Sequence, residues 1–245
     1  MDQTQLHKEL ITYGQLDTFE KIKRLINFES GSKFKVLDVG CGQGILDEHL
    51  RKLGHEVVGL DIHQELLLLP PRYIKCDINK AWPVEDKCFD LVICTDVPEH
   101  MYDPGHVLKE SERVLKMNGR LIFGVPNHFD LRQRLRMLVG KGIVHWDCVQ
   151  YKEEAWTFAH IRFFTLADLH RKFTESGWKI LRQQFNFMGG GLIPSFFPSL
   201  LKTFLLRAWP NLFSGKFIIL ASPAKEGINE PHGKDIYVPY TSPGM

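Results

Sequence analysis

Apolar and polar positions alternate along this chain in blocks that predict strands and helices in turn. Seven short apolar segments have the composition of buried strands, and in chain order they read KVLDV, EVVGLDI, RYIKCDI, FDLVICTDV, RLIFGVP, WKILRQQFNF and KFIILAS. Segments with helical periodicity lie between them, including ILDEHLRKLG, HQELLLL and PGHVLKESERVLKMNG. Strands that alternate with helices form a parallel sheet covered on both faces. We therefore predict a doubly wound, mostly parallel seven-stranded α/β sheet of the Rossmann-like kind.

Two further helices flank this alternating region. Residues 17–28 have four apolar side chains at helical spacing, and Asp17 and Glu20 are spaced as a capping box. The apolar face of that helix would consist of Phe19, Ile22, Leu25 and Ile26. The segment TLADLHRKFTESG predicts a second helix, just before the sixth strand.

The alternation is interrupted twice, which predicts helical insertions after strands 5 and 6. Residues 127–164 are rich in Arg, His and Trp, and residues 186–214 are strongly apolar. We expect both insertions to cover the substrate, within a single domain at residues 1–222. The last 23 residues, 223–245, contain four prolines and three glycines and are expected to be a weakly ordered tail.

Composition narrows the classes of function. The net charge is +2, from 31 basic and 29 acidic residues spread along the chain, so no basic stripe indicates nucleic-acid binding. Five scattered cysteines without a C-x-x-C pair are typical of reduced thiols, and the first residues lack the pattern of a secretory signal. No apolar run reaches the roughly 18 residues of a membrane span. We therefore expect a cytoplasmic protein.

The turn that follows the first strand, VGCGQG, indicates a nucleotide-like ligand. Its glycines are Gly40, Gly42 and Gly44, whereas a dinucleotide fingerprint would place its third glycine at Ile45. No G-K-[ST] follows, so this is no P-loop either. The pattern favours a ligand without a pyrophosphate that lies against bare backbone.

VLDVGCGQG resembles the first motif of class I S-adenosylmethionine-dependent methyltransferases, and four later segments resemble that family's motifs in order. They are VVGLDI, YIKCDI and the pair FDLVICTDVPEHMYDP and VLKMNGRLIFGVPN. The resemblance implies S-adenosylmethionine as cofactor, with Asp61 on the ribose hydroxyls and Asp77 beside the adenine. The implied cofactor-binding residues are Asp38, Gly40, Cys41, Gly42, Gly44, Asp61, Ile62, Asp77, Ile78 and Thr95.

Structural alternatives exist for several of these residues. The glycines can form a tight turn in any wound sheet, and Asp61 can cap the helix that follows it. Asp77 can form an Asx turn, and Ile62 can be a core residue.

The candidates for acid–base chemistry are histidines. His100, in DVPEH, follows the fourth strand and is our first candidate for the base, with His160 as second, although a lone histidine is more often structural. An alternative would use Asp96, Glu99 and Asn127 as metal ligands, but we predict no metal. The acceptor-binding candidates come from the insertion, which ends in H-x-R-F-F-T as in methyltransferases of small-molecule, sugar and glycan pathways. They are Asn127, Arg132, Trp156 and Arg162.

The acceptor class follows from motifs that are missing. The loop from Thr95 to His100 lacks the Asn/Asp-Pro-Pro-aromatic sequence of amino-methylating DNA enzymes, and the glutamate pair of protein arginine methyltransferases is absent. We predict methyl transfer to an O or N atom of a small molecule, sugar or lipid-linked glycan. A cofactor-binding pseudoenzyme that regulates a partner and a nicotinamide-dependent reductase are the alternatives. The apolar stretch at 189–214 is expected to pack internally or form a homodimer contact. Alternatively, it is a hinged lid or a helix that lies on a membrane surface.

Overall fold

The computed structural model describes residues 13–27, 33–63, 72–143, 160–188 and 198–224. The predicted helix HQELLLL, Trp156, most of the predicted tail and the first part of the apolar stretch at 189–214 lie outside these ranges. Within them, no helix combines the length and the apolar character that crossing a membrane requires.

One seven-stranded sheet organises the described residues, in the order β3-β2-β1-β4-β5-β7-β6. The sheet is parallel except for β7, which pairs antiparallel with both β5 and β6. This confirms the predicted fold class and all seven strand segments. The strands are β1 (Lys35–Val39), β2 (Glu56–Asp61), β3 (Arg72–Lys75), β4 (Phe89–Thr95), β5 (Leu115–Pro126), β6 (Trp178–Phe187) and β7 (Ser214–Pro223).

Helices cover both faces of the sheet. They are α1 (Tyr13–Asn27), α2 (Ile45–Lys52), α3 (Gly105–Val114), α4 (Leu131–Leu138), α5 (Leu166–Glu175), α6 (Ser199–Ala208) and α7 (Pro210–Phe213). On one face, α1 and α2 pack against strand residues such as Val36, Ile93 and Ile218. On the other, α3 and α5 pack against residues such as Phe123 and Phe217. The central strands are therefore apolar on both sides, because each side faces a helix layer.

Two local expectations from the sequence are wrong. Helix α1 already runs from Tyr13, so Asp17 and Glu20 lie inside it and do not form a capping box at its start. Helix α3 ends at Val114 and does not continue to Gly119, because Leu115 has extended backbone and pairs with Phe89 of β4. By contrast, α5 has a capping box, formed by Thr165 and Asp168.

The described parts of both insertions meet at the carboxyl edge of the parallel strands. Helix α4 follows β5, and α6 and α7 precede β7. Because Pro126 pairs with Lys216, the end of β5 lies beside the start of β7. The Asn127 amide strengthens this junction, since its nitrogen donates to the carbonyl oxygens of Asn211 and Ser214 at 2.9 and 2.7 Å.

Candidate functional site

The turn between β1 and α2 has the left-handed backbone that its glycines permit. Gly40, Gly42 and Gly44 have φ angles of 76°, 52° and 77°. A Cβ atom on Gly40 would lie 2.1 Å from Val97 Cγ2, whereas one on Gly42 would meet nothing within 4 Å. Gly40 is thus required for packing against the loop after β4, and Gly42 borders open space at the carboxyl edge of the sheet. Ligands bind at this edge in open α/β sheets, where the strand order reverses between β1 and β4.

Asp61 lies across the mouth of this turn, at the end of β2. Its carboxylate accepts a hydrogen bond from the Gly42 amide at 2.8 Å and another from the His63 amide at 2.9 Å. The neighbouring Ile62 side chain is 48% exposed, so core packing does not explain it. The second strand therefore presents a half-buried carboxylate and an exposed apolar side chain beside the open face of Gly42.

A pair of buried carboxyl groups lies in the same region. Asp38 and Asp47 are almost fully buried, and neither carboxyl oxygen of Asp47 has a donor among the described residues. Burial, followed by repulsion from Asp47, raises the pKa of Asp38 well above its usual value. Burial raises the pKa of Asp47 as well. Asp38 therefore lies in the interior beneath the turn, where it does not face solvent.

Four other predicted cofactor residues have structural contacts. Asp77 Oδ1 accepts hydrogen bonds from the backbone and side-chain nitrogens of Asn79, both at 3.1 Å, which lower its pKa and form the Asx turn considered from the sequence. Ile78 packs against the core. Thr95 ends β4 close to Gly124, where a Cβ atom would approach Thr95 Cγ2 to 2.7 Å. Cys41 is buried, and burial raises the pKa of its thiol.

The loop after β4 is tied to the far side of the sheet. Asp96 has a left-handed backbone, with φ of 59°, and its carboxylate forms an ion pair with Lys216 at the start of β7. Lys216 is itself buried and also donates to Thr18 Oγ1 of α1 at 3.2 Å. The Asp96, Glu99 and Asn127 metal set is therefore not brought together: Asp96 pairs with lysine, and the Asn127 amide joins α7 to β7.

Glu99 instead lies at the centre of a histidine cluster. Its Oε1 is 4.0 Å from Nε2 of His100 and 4.0 Å from Nε2 of His160, and Nε2 of His128 is 2.7 Å from Nδ1 of His160. Glu99 is buried, its Oε2 has no hydrogen-bond partner among the described residues, and burial and the charge of Asp96 raise its pKa well above the usual value. The amides of Ile161 and Arg162 donate to the Glu99 carbonyl at 2.9 and 3.1 Å, which holds this segment over the loop.

The predicted acceptor-binding residues differ in their exposure to solvent. Arg162 is exposed beside the histidine cluster and donates to the Tyr102 carbonyl. Arg132 is buried and forms an ion pair with Asp130 at 2.6 Å, and Asn127 is buried in the junction described above. These contacts hold Arg132 and Asn127 in place at the carboxyl edge of the sheet, and their roles in acceptor binding stay predictions. Trp156 lies outside the described residues.

Sequence reasoning missed two residues of this site. His128 was given no role, although its place just after the carboxyl end of β5 is a signal that could have been used. Lys216 was read only as a strand residue. It is 120 positions from Asp96, and nothing in the local pattern of β7 indicates their pairing.

Comparison with known proteins relates part of the chain to methyltransferases. Residues 37–123 match the family model described as a methyltransferase domain. The chain is similar to proteins named ubiquinone biosynthesis O-methyltransferase. The one from Proteus mirabilis is 33% identical over 103 residues, covering 38% of this chain and 42% of that protein. The one from Bradyrhizobium diazoefficiens is 30% identical over 138 residues, covering 52% and 53%. The chain spans about half the length of the curated relatives it matches.

Solved structures share the fold. A Thermotoga maritima structure described as a SAM-dependent methyltransferase, possible histamine N-methyltransferase, has a TM-score of 0.57 at 16% identity, covering 85% of this chain and 88% of that one. The Burkholderia thailandensis 1,6-didemethyltoxoflavin-N1-methyltransferase, solved with S-adenosylhomocysteine, has a TM-score of 0.54 at 14% identity, covering 84% and 78%. Both likenesses extend well beyond residues 37–123 and concern the fold alone.

Proposed function

We propose that this chain, which carries a class I S-adenosylmethionine-dependent methyltransferase domain, transfers a methyl group to a hydroxyl oxygen of a small molecule. The observation that carries the proposal is the meeting of two features at one edge of the sheet. Gly42 and Asp61 are suited to the cofactor. The loop after β4, whose Val97 packs against Gly40 of the same turn, carries Glu99 and His100, and His128 and His160 lie beside them. The O-methyltransferase names of the relatives favour oxygen over nitrogen as the acceptor atom.

The residues at the mouth fit S-adenosylmethionine. A side chain on Gly42 would occupy space that is open, so bare backbone is available to a ligand there. The Asp61 carboxylate already accepts two backbone hydrogen bonds and retains lone pairs for the ribose hydroxyls. Ile62 would cover the adenosine with apolar surface that is now exposed. S-adenosylmethionine, when bound, supplies an activated methyl group on a positively charged sulfur.

The chain's own contribution to the chemistry is positioning and proton removal. Proximity of the reacting atoms in a closed pocket can supply roughly 7–11 kcal/mol, and a positioned base adds about two to four orders of magnitude. His100 remains the first candidate for the base, because its side chain is 42% exposed while that of His160 is 8% exposed. His160 is held by His128, and its ring packs edge-on against His100 at 4.7 Å between centroids. In this arrangement His160 and Glu99 orient His100.

A metal-assisted variant has one specific observation in its favour. One ligand atom each from Glu99, His100 and His160 lies within 4.8 Å of the others, a spacing that a small movement would convert into a metal site. We keep the metal-independent reaction as the proposal, because a base alone accounts for proton removal from a hydroxyl. Chelation separates the two. Turnover that survives EDTA supports His100 as the base, and turnover that is lost and then restored by a divalent ion overturns that role.

The proposed function is tested by offering the protein labelled S-adenosylmethionine and a metabolite extract rich in phenols and quinols. Transfer of label to a hydroxyl-bearing metabolite is expected, whereas cofactor binding without transfer in any extract would favour the pseudoenzyme.

His100→Gln should lower the rate and leave cofactor affinity unchanged. Asp61→Ala should weaken cofactor binding, since each lost charge-assisted hydrogen bond contributes about 1.5–3 kcal/mol. Unchanged affinity in calorimetry would remove Asp61 from the cofactor site. A fluorescence titration with NADH tests the alternative of a nicotinamide-dependent reductase. The proposed methyltransferase should give no saturable signal in it.

A further inference from the structure

The carboxyl edge of the sheet has an exposed apolar surface beyond the cofactor and histidine sites. Eight of the fourteen exposed large apolar side chains in the described part of the chain lie in two segments, residues 131–142 and 198–214. They are Leu135, Met137, Leu138, Val139, Leu200, Leu201, Phe204 and Trp209. Scattered exposed apolar residues are normal, but a concentration of this kind marks an interaction surface.

The apolar side chains follow one face of helix α6. Leu200 is 83% exposed and Phe204 is 57% exposed, four positions apart and therefore on the same side of the helix. Leu206 is buried and anchors the opposite side. The Phe204 ring meets the Trp209 ring edge-on at 6.3 Å between centroids, so the exposed face continues into α7. Helix α6 is thus held on the protein while its apolar face points outward.

All charged residues in the same two segments are cationic. Residues 131–142 and 198–214 contain six Lys or Arg residues and no Asp or Glu, in a chain whose overall net charge is only +2. Arg132 forms an ion pair with Asp130 inside the protein. The other cationic residues of the two segments are Arg134, Arg136, Lys141, Lys202 and Arg207. Lys202 has its Nζ 5.9 Å from the centroid of the Phe187 ring of β6, which is a cation–π contact.

We propose that α4 and α6, with their exposed apolar and cationic side chains, bind the surface of an anionic lipid bilayer. Apolar residues flanked by cations are the composition by which helices lie in a membrane interface. A second copy of this chain would carry the same excess of positive charge on the facing surface and would repel it, which favours lipid over a symmetric dimer. Helix α4 begins at Leu131, shortly after His128 of the histidine cluster, so membrane binding through α4 would bring the site close to the bilayer. The binding itself does not depend on methyl transfer.

Vesicle flotation tests the apolar contribution. The full chain should float with vesicles of phosphatidylcholine containing phosphatidylglycerol. The α6 variant Leu200→Ser with Phe204→Ser should lower the partition coefficient roughly tenfold or more, because it removes apolar area that would be buried in the interface. The α4 variant Leu135→Ser with Leu138→Ser should act in the same direction. Full flotation of either variant would overturn the joint role of the two helices.

A matched control uses exposed apolar residues away from this edge. Leu53→Ser with Met117→Ser removes side chains that are 47% and 78% exposed, and this variant should float as the parent does. An equal loss in the control would mean that general hydrophobicity drives binding, which contradicts the proposal. Thermal unfolding of every variant confirms that each remains folded.

The cationic contribution is tested by lipid composition and by charge. Vesicles of phosphatidylcholine alone should bind more weakly, since each cation near an anionic surface strengthens binding about fivefold. Arg134→Gln with Arg207→Gln should reduce binding to anionic vesicles, whereas Lys109→Gln with Lys172→Gln should not. Failure of the parent to bind anionic vesicles overturns the proposal, as does a concentration-dependent dimer in sedimentation velocity that the α6 variant abolishes while flotation is unchanged.

Discussion

Two glycines of the β1–α2 turn should respond very differently to the same substitution. Both have positive φ, so alanine at either position carries the strain of a left-handed residue, about 1–2 kcal/mol. At Gly42 nothing lies within 4 Å of the new methyl group, and strain is the whole cost to the fold. At Gly40 the methyl group would lie 2.1 Å from Val97 Cγ2, and overpacking of this kind adds about 1–3 kcal/mol.

Gly40→Ala should therefore lower the free energy of unfolding by about 2–5 kcal/mol and Gly42→Ala by about 1–2 kcal/mol. In a chain of this size each kcal/mol corresponds to roughly 2–4 °C in the thermal midpoint. The midpoint should then fall by roughly 4–20 °C for Gly40→Ala and 2–8 °C for Gly42→Ala. Gly42→Ala, the milder change for the fold, should be the one that acts chiefly on cofactor affinity. Gly42→Ala places its methyl group in open space beside Asp61 and should weaken S-adenosylhomocysteine binding roughly tenfold or more while the fold survives.

Urea unfolding and calorimetry with S-adenosylhomocysteine measure both effects, and a double-mutant cycle isolates the clash. Val97→Ala removes the methyl group that Gly40→Ala would meet, so the double variant should recover about 1–3 kcal/mol relative to the sum of the single changes. The strain at position 40 should remain. Equal destabilisation by the two glycine substitutions, or a coupling energy near zero, would refute the assigned contact between the turn and the loop after β4.

Three further predictions address the surroundings of the site. Glu99→Gln should be increasingly stabilising as pH rises from about 5 to 8 in urea unfolding, because the raised folded-state pKa of Glu99 makes the parent lose stability with rising pH; a pH-independent difference would contradict this. Asn127→Ala should lower stability by about 2–4 kcal/mol, since it removes three buried hydrogen bonds, whereas exposed Asn79→Ala should cost well under half as much. His128→Ala should lower kcat and alter the pH–rate profile without changing cofactor affinity, and an unchanged profile would show that it does not position His160.

The element order was predictable because it depends on local pattern. A strand covered by helices on both faces must be apolar along its length, and all seven such segments became strands. The glycine turn could also be predicted from the sequence, since only glycine adopts its backbone conformation without strain. The predicted end of α3 was wrong because of a contact between residues that are distant in the chain. Leu115 has a side chain that suits a helix, but pairing with Phe89 draws it into β5.

The site was predictable only in part. The sequence places Asp61 at a strand end, and strand ends in a parallel sheet share one edge, so its position beside Gly42 follows from the fold class. His100 was found in the same way. Arg132 and Asn127 stay candidates for acceptor binding, but the sequence did not predict the contacts that hold them, which are with Asp130 and with the carbonyls of Asn211 and Ser214.

By itself, the sequence determined which segments form the sheet, where the backbone must turn without side chains, and which family of folds results. Those properties arise from residues that are neighbours in the chain. Only the tertiary structure decided that Lys216 neutralises Asp96 and that His128 holds His160 beside Glu99. These contacts join residues tens of positions apart. They depend on β7 inserting antiparallel between β5 and β6 and on the insertion returning over the loop after β4, and no local periodicity encodes either placement.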